Sequence, residues 1–184
     1  MSATQIPRPN YLQTDKWAAL IGNRQWEDTP DGWVEVTEHK KEDLVLNPAM
    51  LAKMEVDRFN ATKGQWSTQG GPSVLLTSIG RKSGKEHTLA TNYMPYGGSW
   101  VVVGSLAGLP VAPQWALNLD QVGRGKVQLK DQKWEVTARK MSEQELERFW
   151  PTLTSLFPLW NYFQRHCQRK FKVFVLTPTQ LIAN

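Results

Sequence analysis

From about residue 73 onward, short apolar runs alternate with glycine-marked breaks, the rhythm of strands joined by tight turns. Val74-Leu75-Leu76 forms the centre of one strand, and residues 80–84 make a turn. Residues 87–93 return as a second strand, ended by Gly97-Gly98, and residues 100–103 supply a third. A loop rich in Gly and Pro over 104–113 leads into a short helix at 113–120 with Trp115, Leu117 and Leu119. Residues 126–129 and 134–139 read as a hairpin around 130–133. Ser142-Glu143-Gln144-Glu145 is a capping box, and Leu146, Phe149, Trp150, Leu153 and Phe157 continue an apolar helical face. Pro151 is expected to kink that helix and Pro158 to break it. A last helix over 159–169 and a last strand over 172–176 complete the pattern.

Upstream the rhythm is weaker. Asn47-Pro48 suits the cap and first position of a helix, with Leu51, Met54 and Phe59 on its apolar face up to about residue 63. Residues 1–12 read as a polar tail, 16–21 as a short helix, 28–32 as a turn and 33–37 as a strand. The sum is an α+β fold: six strands, mainly antiparallel because their connections are short, closing a small barrel with flanking helices. The expected division is an N-terminal extension over 1–46 and a barrel domain over 47–184.

Composition narrows the class. Of 184 residues, 40% are hydrophobic and 21% charged, enough for a real core and unlike a disordered chain. No apolar run approaches the roughly 20 residues of a membrane-spanning helix. Residues 1–10 lack the basic-then-apolar pattern of a leader, so the expected location is the cytoplasm. One cysteine, Cys167, excludes an internal disulfide framework. The net charge of +5 favours an anionic partner, but the cations are too scattered for a nucleic-acid stripe. Nine tryptophans suit both a core and a ligand surface.

Candidate chemistry concentrates at Gly80-Arg81-Lys82-Ser83-Gly84-Lys85, where three cations crowd one turn. Such a turn can aim basic side chains and amides at one anion, or it can be a solvated basic hairpin. It is not a P-loop: its spacing is one residue short, and Glu86 stands where Ser or Thr would bind magnesium. His39, His87 and His166 lack metal-ligand spacing. Neither a nucleophile elbow nor a dinucleotide fingerprint is present. Phe157, Trp160, Tyr162 and Phe163 cluster around Pro158, as core packing or as the wall of a pocket for a flat conjugated molecule.

These landmarks, in order, resemble the deazaflavin (F420)-dependent nitroreductase family of split β-barrel proteins. The resemblance runs from about residue 71 to 178. It joins Val74-Leu75-Leu76-Thr77, the basic turn, Trp100-Val101-Val102-Val103-Gly104-Ser105, Pro113-Gln114-Trp115, Asn118-Leu119, Phe149-Trp150-Pro151 and Tyr162-Phe163-Gln164. It implies a split barrel that binds F420, whose tail carries a phosphate, a lactate unit and glutamates. Arg81 and Lys82, with Ser83, Lys85 and His87 as neighbours, match positions that hold this tail. Ser105 matches a polar residue at the deazaflavin ring, and Pro113, Trp115 and Asn118 match the walls of the cofactor pocket. Phe157, Trp160 and Phe163 match the substrate wall, and Ser105, Tyr162 or a water is the expected hydrogen-bond donor to the substrate. The implied activity is hydride transfer between F420 and a conjugated, hydrophobic molecule such as an enone, a quinone or a nitroaromatic.

The chain also departs from the pattern. His87 stands where the family usually has Arg, which makes that contact weaker or pH-dependent. Ala116, Phe157 and Trp160 replace tyrosines, so phenolic donors are lost and the pocket becomes more apolar. The expected substrate is therefore bulkier and greasier than a nitroimidazole. The same losses leave open a member without cofactor, acting as an isomerase, a cyclase or a binding protein. FMN is the alternative cofactor. Residues 1–46 are expected to form a lid or a dimer arm, with a homodimer as the arrangement that split barrels often adopt.

Overall fold

The computed structural model describes residues 26–29, 32–35, 48–65, 71–109, 111–165 and 167–183. Strands β1 (Trp26–Thr29) and β2 (Gly32–Glu35) pair antiparallel. Helix α1 (Pro48–Ala61) starts at its proline. There follow β3 (Ser73–Ile79), β4 (Glu86–Tyr96), β5 (Ser99–Gly104), a 3-10 turn at Leu106–Gly108 and α2 (Gln114–Val122). Then come β6 (Arg124–Leu129), β7 (Gln132–Lys140), α3 (Glu143–Leu156), α4 (Pro158–Arg165) and β8 (Lys172–Ile182).

The expected barrel forms. Its six strands close in the order β3-β4-β5-β8-β7-β6, with every pairing antiparallel. Period-two alternation decides what each residue touches. Val74 and Leu76 of β3 point inward with Val102, Val127, Val136, Phe174 and Leu176, and α2 packs Trp115, Ala116 and Leu119 into the same core. Leu75, between two inward residues, instead joins Ala90 and Phe59 of α1. Val101, Val103, Val173 and Val175 pack with Leu153 of α3 and Phe157, Trp160 and Phe163. Each such side chain, fully buried, contributes about 1.5–3 kcal/mol. Gly125 lets β6 run close to β3: a Cβ there would lie 2.5 Å from the Thr77 carbonyl oxygen.

Helix α3 runs through Pro151, which is exposed, and ends before Pro158, where the sequence predicts the break. Two boundaries differ from the sequence pattern. Helix α4 stops at Arg165 rather than 169, because Gln164 reaches forward to backbone groups beyond the helix: its Nε2 donates to Arg169 O at 2.9 Å, and its Oε1 accepts from Phe171 N–H at 3.0 Å. Strand β8 continues past residue 176 to Ile182 along β7, with a register shift at Glu135/Val136 that admits Pro178.

Candidate functional site

The basic turn joins β3 to β4. Gly80 N–H donates to Lys85 O at 2.8 Å, and Gly84 N–H donates to Gly80 O at 2.8 Å. Gly84 takes φ +68°, a conformation that glycine adopts without strain. A Cβ on Gly80 would lie 2.5 Å from Ser83 Oγ and 3.1 Å from His87 Nε2, so both side chains fold over that glycine. Ser83 Oγ also accepts from Lys85 N–H at 3.3 Å. Lys82, Ser83, Lys85 and His87 are exposed, and Arg81 is half-buried.

Helix α2 fixes the turn from below. Asn118, 5% exposed, accepts through Oδ1 from Arg81 N–H at 3.2 Å and from Arg81 Nη1 at 3.0 Å. Its Nδ2 donates to Ser78 Oγ at 3.2 Å, and Gln114 Oε1 accepts from Arg81 Nη1 at 3.0 Å. The structure therefore joins Arg81 to Asn118 and Gln114, with Ser78 behind Asn118.

These acceptors are neutral amides, and among the described residues no carboxylate pairs with Arg81. Glu86 is taken by Lys126 at 2.5 Å, and this hydrogen bond raises Lys126 above its ordinary value. Among the described residues no ion pair involves Lys82 or Lys85. The first turn of α2, at Gln114, adds the partial positive charge of a helix N-terminus. Cations on flexible stems beside a fixed guanidinium suit a long polyanion better than a single small ion.

Pro113 is the N-cap residue of α2 and is buried. It also touches the β5 end: a Cβ on Gly104 would lie 3.4 Å from Pro113 Cγ and 3.1 Å from Ala116 Cβ. Ser105 follows Gly104, half-buried, at the head of the 3-10 turn. Trp115 sits deeper. It is 8% exposed and lies 6.2 Å, centroid to centroid, from Phe174 in the barrel core.

The C-terminal aromatic residues are packed rather than open. Phe157, Trp160 and Phe163 are 9%, 4% and 2% exposed, and the Phe157 and Trp160 rings stack at 4.6 Å. Gly71 exists for this packing: a Cβ there would lie 1.8 Å from Phe157 Cζ. Tyr162 lies on α4, but its side chain, like His166, falls outside the described residues.

One residue at this end carries no sequence signal. Arg169 donates to the carbonyls of Leu109 (Nε, 2.7 Å), Gly104 (Nη1, 3.0 Å) and Ser105 (Nη2). Main-chain acceptors 60–65 residues away leave no trace in side-chain spacing.

Among the described residues no three His, Cys, Asp or Glu side chains converge as metal ligands, and no helix is long and apolar enough to cross a membrane. The donor set fits the anionic end of F420, with Arg81, Lys82 and Lys85 as the residues that would hold it.

Comparison with known proteins agrees. Residues 51–178 match the family model of F420H(2)-dependent quinone reductases. A Mycobacterium tuberculosis protein named as an F420H(2)-dependent quinone reductase, Rv3178, is 29% identical over 107 residues, covering 58% of this chain and 90% of that protein. The solved F420-H2 dependent reductase FDR-A superposes with a TM-score of 0.52 at 29% identity, covering 57% of this chain and 93% of its own. A chain described as a domain-swapped dimer superposes with a TM-score of 0.53 at 25% identity, over 67% of this chain and 97% of its own. The matched stretch takes in the whole basic turn, α2 and most of the barrel, and on this evidence the chain belongs to the F420H(2)-dependent quinone reductase family, as an oxidoreductase whose cofactor is F420.

Proposed function

We propose that the chain reduces a conjugated, hydrophobic small molecule, a quinone before all others, with hydride from reduced F420. The observation that carries this reading is the anchored cationic turn, in which Arg81 is held by neutral amides while Lys82 and Lys85 stand without a paired carboxylate among the described residues. Bound F420H2 supplies a hydride at C5 of its deazaflavin. Arg81, Lys82 and Lys85 grip the acidic tail, with His87 at the rim. Ser105, Pro113 and Asn118 shape the ring pocket, with Trp115 behind them in the core. Ser105 or Tyr162 donates a hydrogen bond to the substrate oxygen as negative charge develops on it. Phe157, Trp160 and Phe163 act as a rigid apolar backing, since their rings are buried.

The relatives' names support the quinone, and the domain-swapped neighbour supports a homodimer; residues 1–46 are read as its arm or as a lid. The reaction is read as cytoplasmic. Loss of phenolic groups at 116, 157 and 160 favours a greasy acceptor over a nitroimidazole. Anaerobic mixing with F420H2, followed through the visible absorbance of oxidised F420, tests this. A short-chain quinone is expected to turn over faster than a nitroimidazole by about tenfold or more, roughly 1.4 kcal/mol in the barrier. Equal rates would remove the substrate assignment.

A further inference from the structure

Ser105 heads a loop whose backbone is awkward to hold. Gly108 N–H donates to Ser105 O at 3.0 Å, and Leu109 N–H donates to Leu106 O at 3.0 Å. Between them Leu106 takes φ +44° and Gly108 φ +73°. A leucine in the left-handed region persists where its surroundings over-determine it.

Phe163 packs against the turn, with its Cβ 3.2 Å from where a Cβ on Gly108 would lie, and Cys167 Sγ lies 3.8 Å from Leu109 O, but the charged hold is one guanidinium. Arg169 sends Nε to Leu109 O at 2.7 Å, Nη1 to Gly104 O at 3.0 Å and Nη2 to Ser105 O. Its planar fork thus binds the loop at both ends and at the serine itself. The fork is fixed in turn. Its Cζ lies 4.9 Å from the centroid of the Phe171 ring, and Gln164 Nε2 donates to Arg169 O at 2.9 Å. Among the described residues no carboxylate pairs with Arg169, and burial pulls its guanidinium below the ordinary value. A carboxylate would compete with the loop for the fork, whereas neutral carbonyls leave all three nitrogens bonded to the loop. A lysine carries a compact head that cannot span carbonyls at both ends of the turn.

We propose that Arg169 is a positioning residue for the reductase reaction: it fixes the 104–109 loop and thereby the placement of Ser105 at the cofactor ring. The catalytic half of this inference rests on the function proposed above. Misplacing a positioned group by about 1 Å can cost a hundredfold in rate without altering affinity for the substrate.

The test compares wild type with Arg169→Ala and Arg169→Lys, the latter serving if the alanine variant does not fold. The first readout is hydrogen exchange without cofactor. The Gly108 and Leu109 amides should exchange about tenfold faster or more, while the Met141 amide, bonded to Val173 O at 2.8 Å in the barrel, stays unchanged. The second is steady-state kinetics with F420H2 and a quinone. Here kcat should fall about tenfold or more with the quinone KM within roughly threefold, and guanidinium ion at millimolar levels should restore part of kcat in Arg169→Ala. Unchanged exchange in the loop overturns the proposal. Faster exchange with unaltered kcat, or a loss without rescue and with uniform destabilisation, overturns its catalytic half. If wild type itself does not oxidise F420H2, the functional reading fails, and the exchange result still decides whether Arg169 holds the loop.

Discussion

The Asn118 amide serves the Arg81 main chain, the Arg81 guanidinium and Ser78 Oγ from one buried position. This makes it a probe of charge separate from packing. Asn118→Asp is nearly isosteric and keeps the acceptor for Arg81, but it sets a carboxylate against the guanidinium. A bound polyanion then meets a neutralised arginine. F420 affinity is expected to fall about tenfold, roughly 1.4 kcal/mol, while the urea midpoint moves little because the new ion pair offsets the lost Ser78 contact. Isothermal titration together with urea unfolding checks both halves. An unaltered affinity would show that the Arg81 charge is not used. Gly71 and Gly80 act at the same scale: each removes a Cβ where another side chain must lie, Phe157 in one case and Ser83 with His87 in the other.

Helix α3 shows how an element can be read from sequence and then titrated. Ser142 Oγ accepts from Glu145 N–H at 3.2 Å, and Glu145 Oε2 accepts from Ser142 N–H at 3.0 Å, the expected capping box. The same carboxylate takes Arg139 Nη1 at 2.6 Å and Nη2 at 3.0 Å, tying α3 to β7. The Arg139 hydrogen bond, followed by the Ser142 backbone, pulls Glu145 from its ordinary 4.5 down to about 2. A carboxylate depressed on folding gives stability that is full above its ordinary value and is lost as pH falls through about 2. Asp120, lowered by Lys172, acts in the same sense. Glu145→Gln should therefore flatten the acid limb of stability between about pH 4.5 and 2, followed by urea unfolding across that window. Ser142→Ala should cost about 1 kcal/mol at neutral pH. An unchanged acid limb in Glu145→Gln would deny the bidentate pair any weight.

Elements governed by local chemistry were legible in this way. The capping box, the proline at the start of α1 and the glycine-bounded turn at 80–84 follow from side chains a few residues apart. The end of α4 and the length of β8 were not, because they depend on Gln164 bonding ahead to 169 and 171 and on a register shift opposite Glu135. At the candidate site, Arg81 and Asn118 were singled out through resemblance. Gln114, Ser78 and Arg169 were not, since amide and carbonyl partners reached through the fold impose no periodicity on the sequence. The aromatic cluster illustrates a pattern that fits two roles. Spacing allowed core or pocket wall, and burial of Phe157, Trp160 and Phe163 puts their rings in the core.

At the scale of the whole molecule, the closed barrel is a rigid frame that brings the β3–β4 turn and the β5 exit loop against α2, and the segment after α4 against that loop. Antiparallel closure leaves no free edge within the ring of six strands, so the cationic corner can vary without endangering the sheet. The central claim is that this corner holds the acidic end of F420. The most direct measurement is the dissociation constant of F420 beside that of the same deazaflavin stripped of its phosphate–lactate–glutamate tail, for wild type and for Arg81→Ala with Lys82→Ala. Each lost charge-assisted contact is worth about 1.5–3 kcal/mol. Wild type is expected to bind intact F420 about a hundredfold tighter than the tailless form, and the double variant, left with Lys85 alone, to lose most of that preference. Equal affinity of wild type for both compounds, or a double variant that prefers the tail as strongly as wild type, would contradict it.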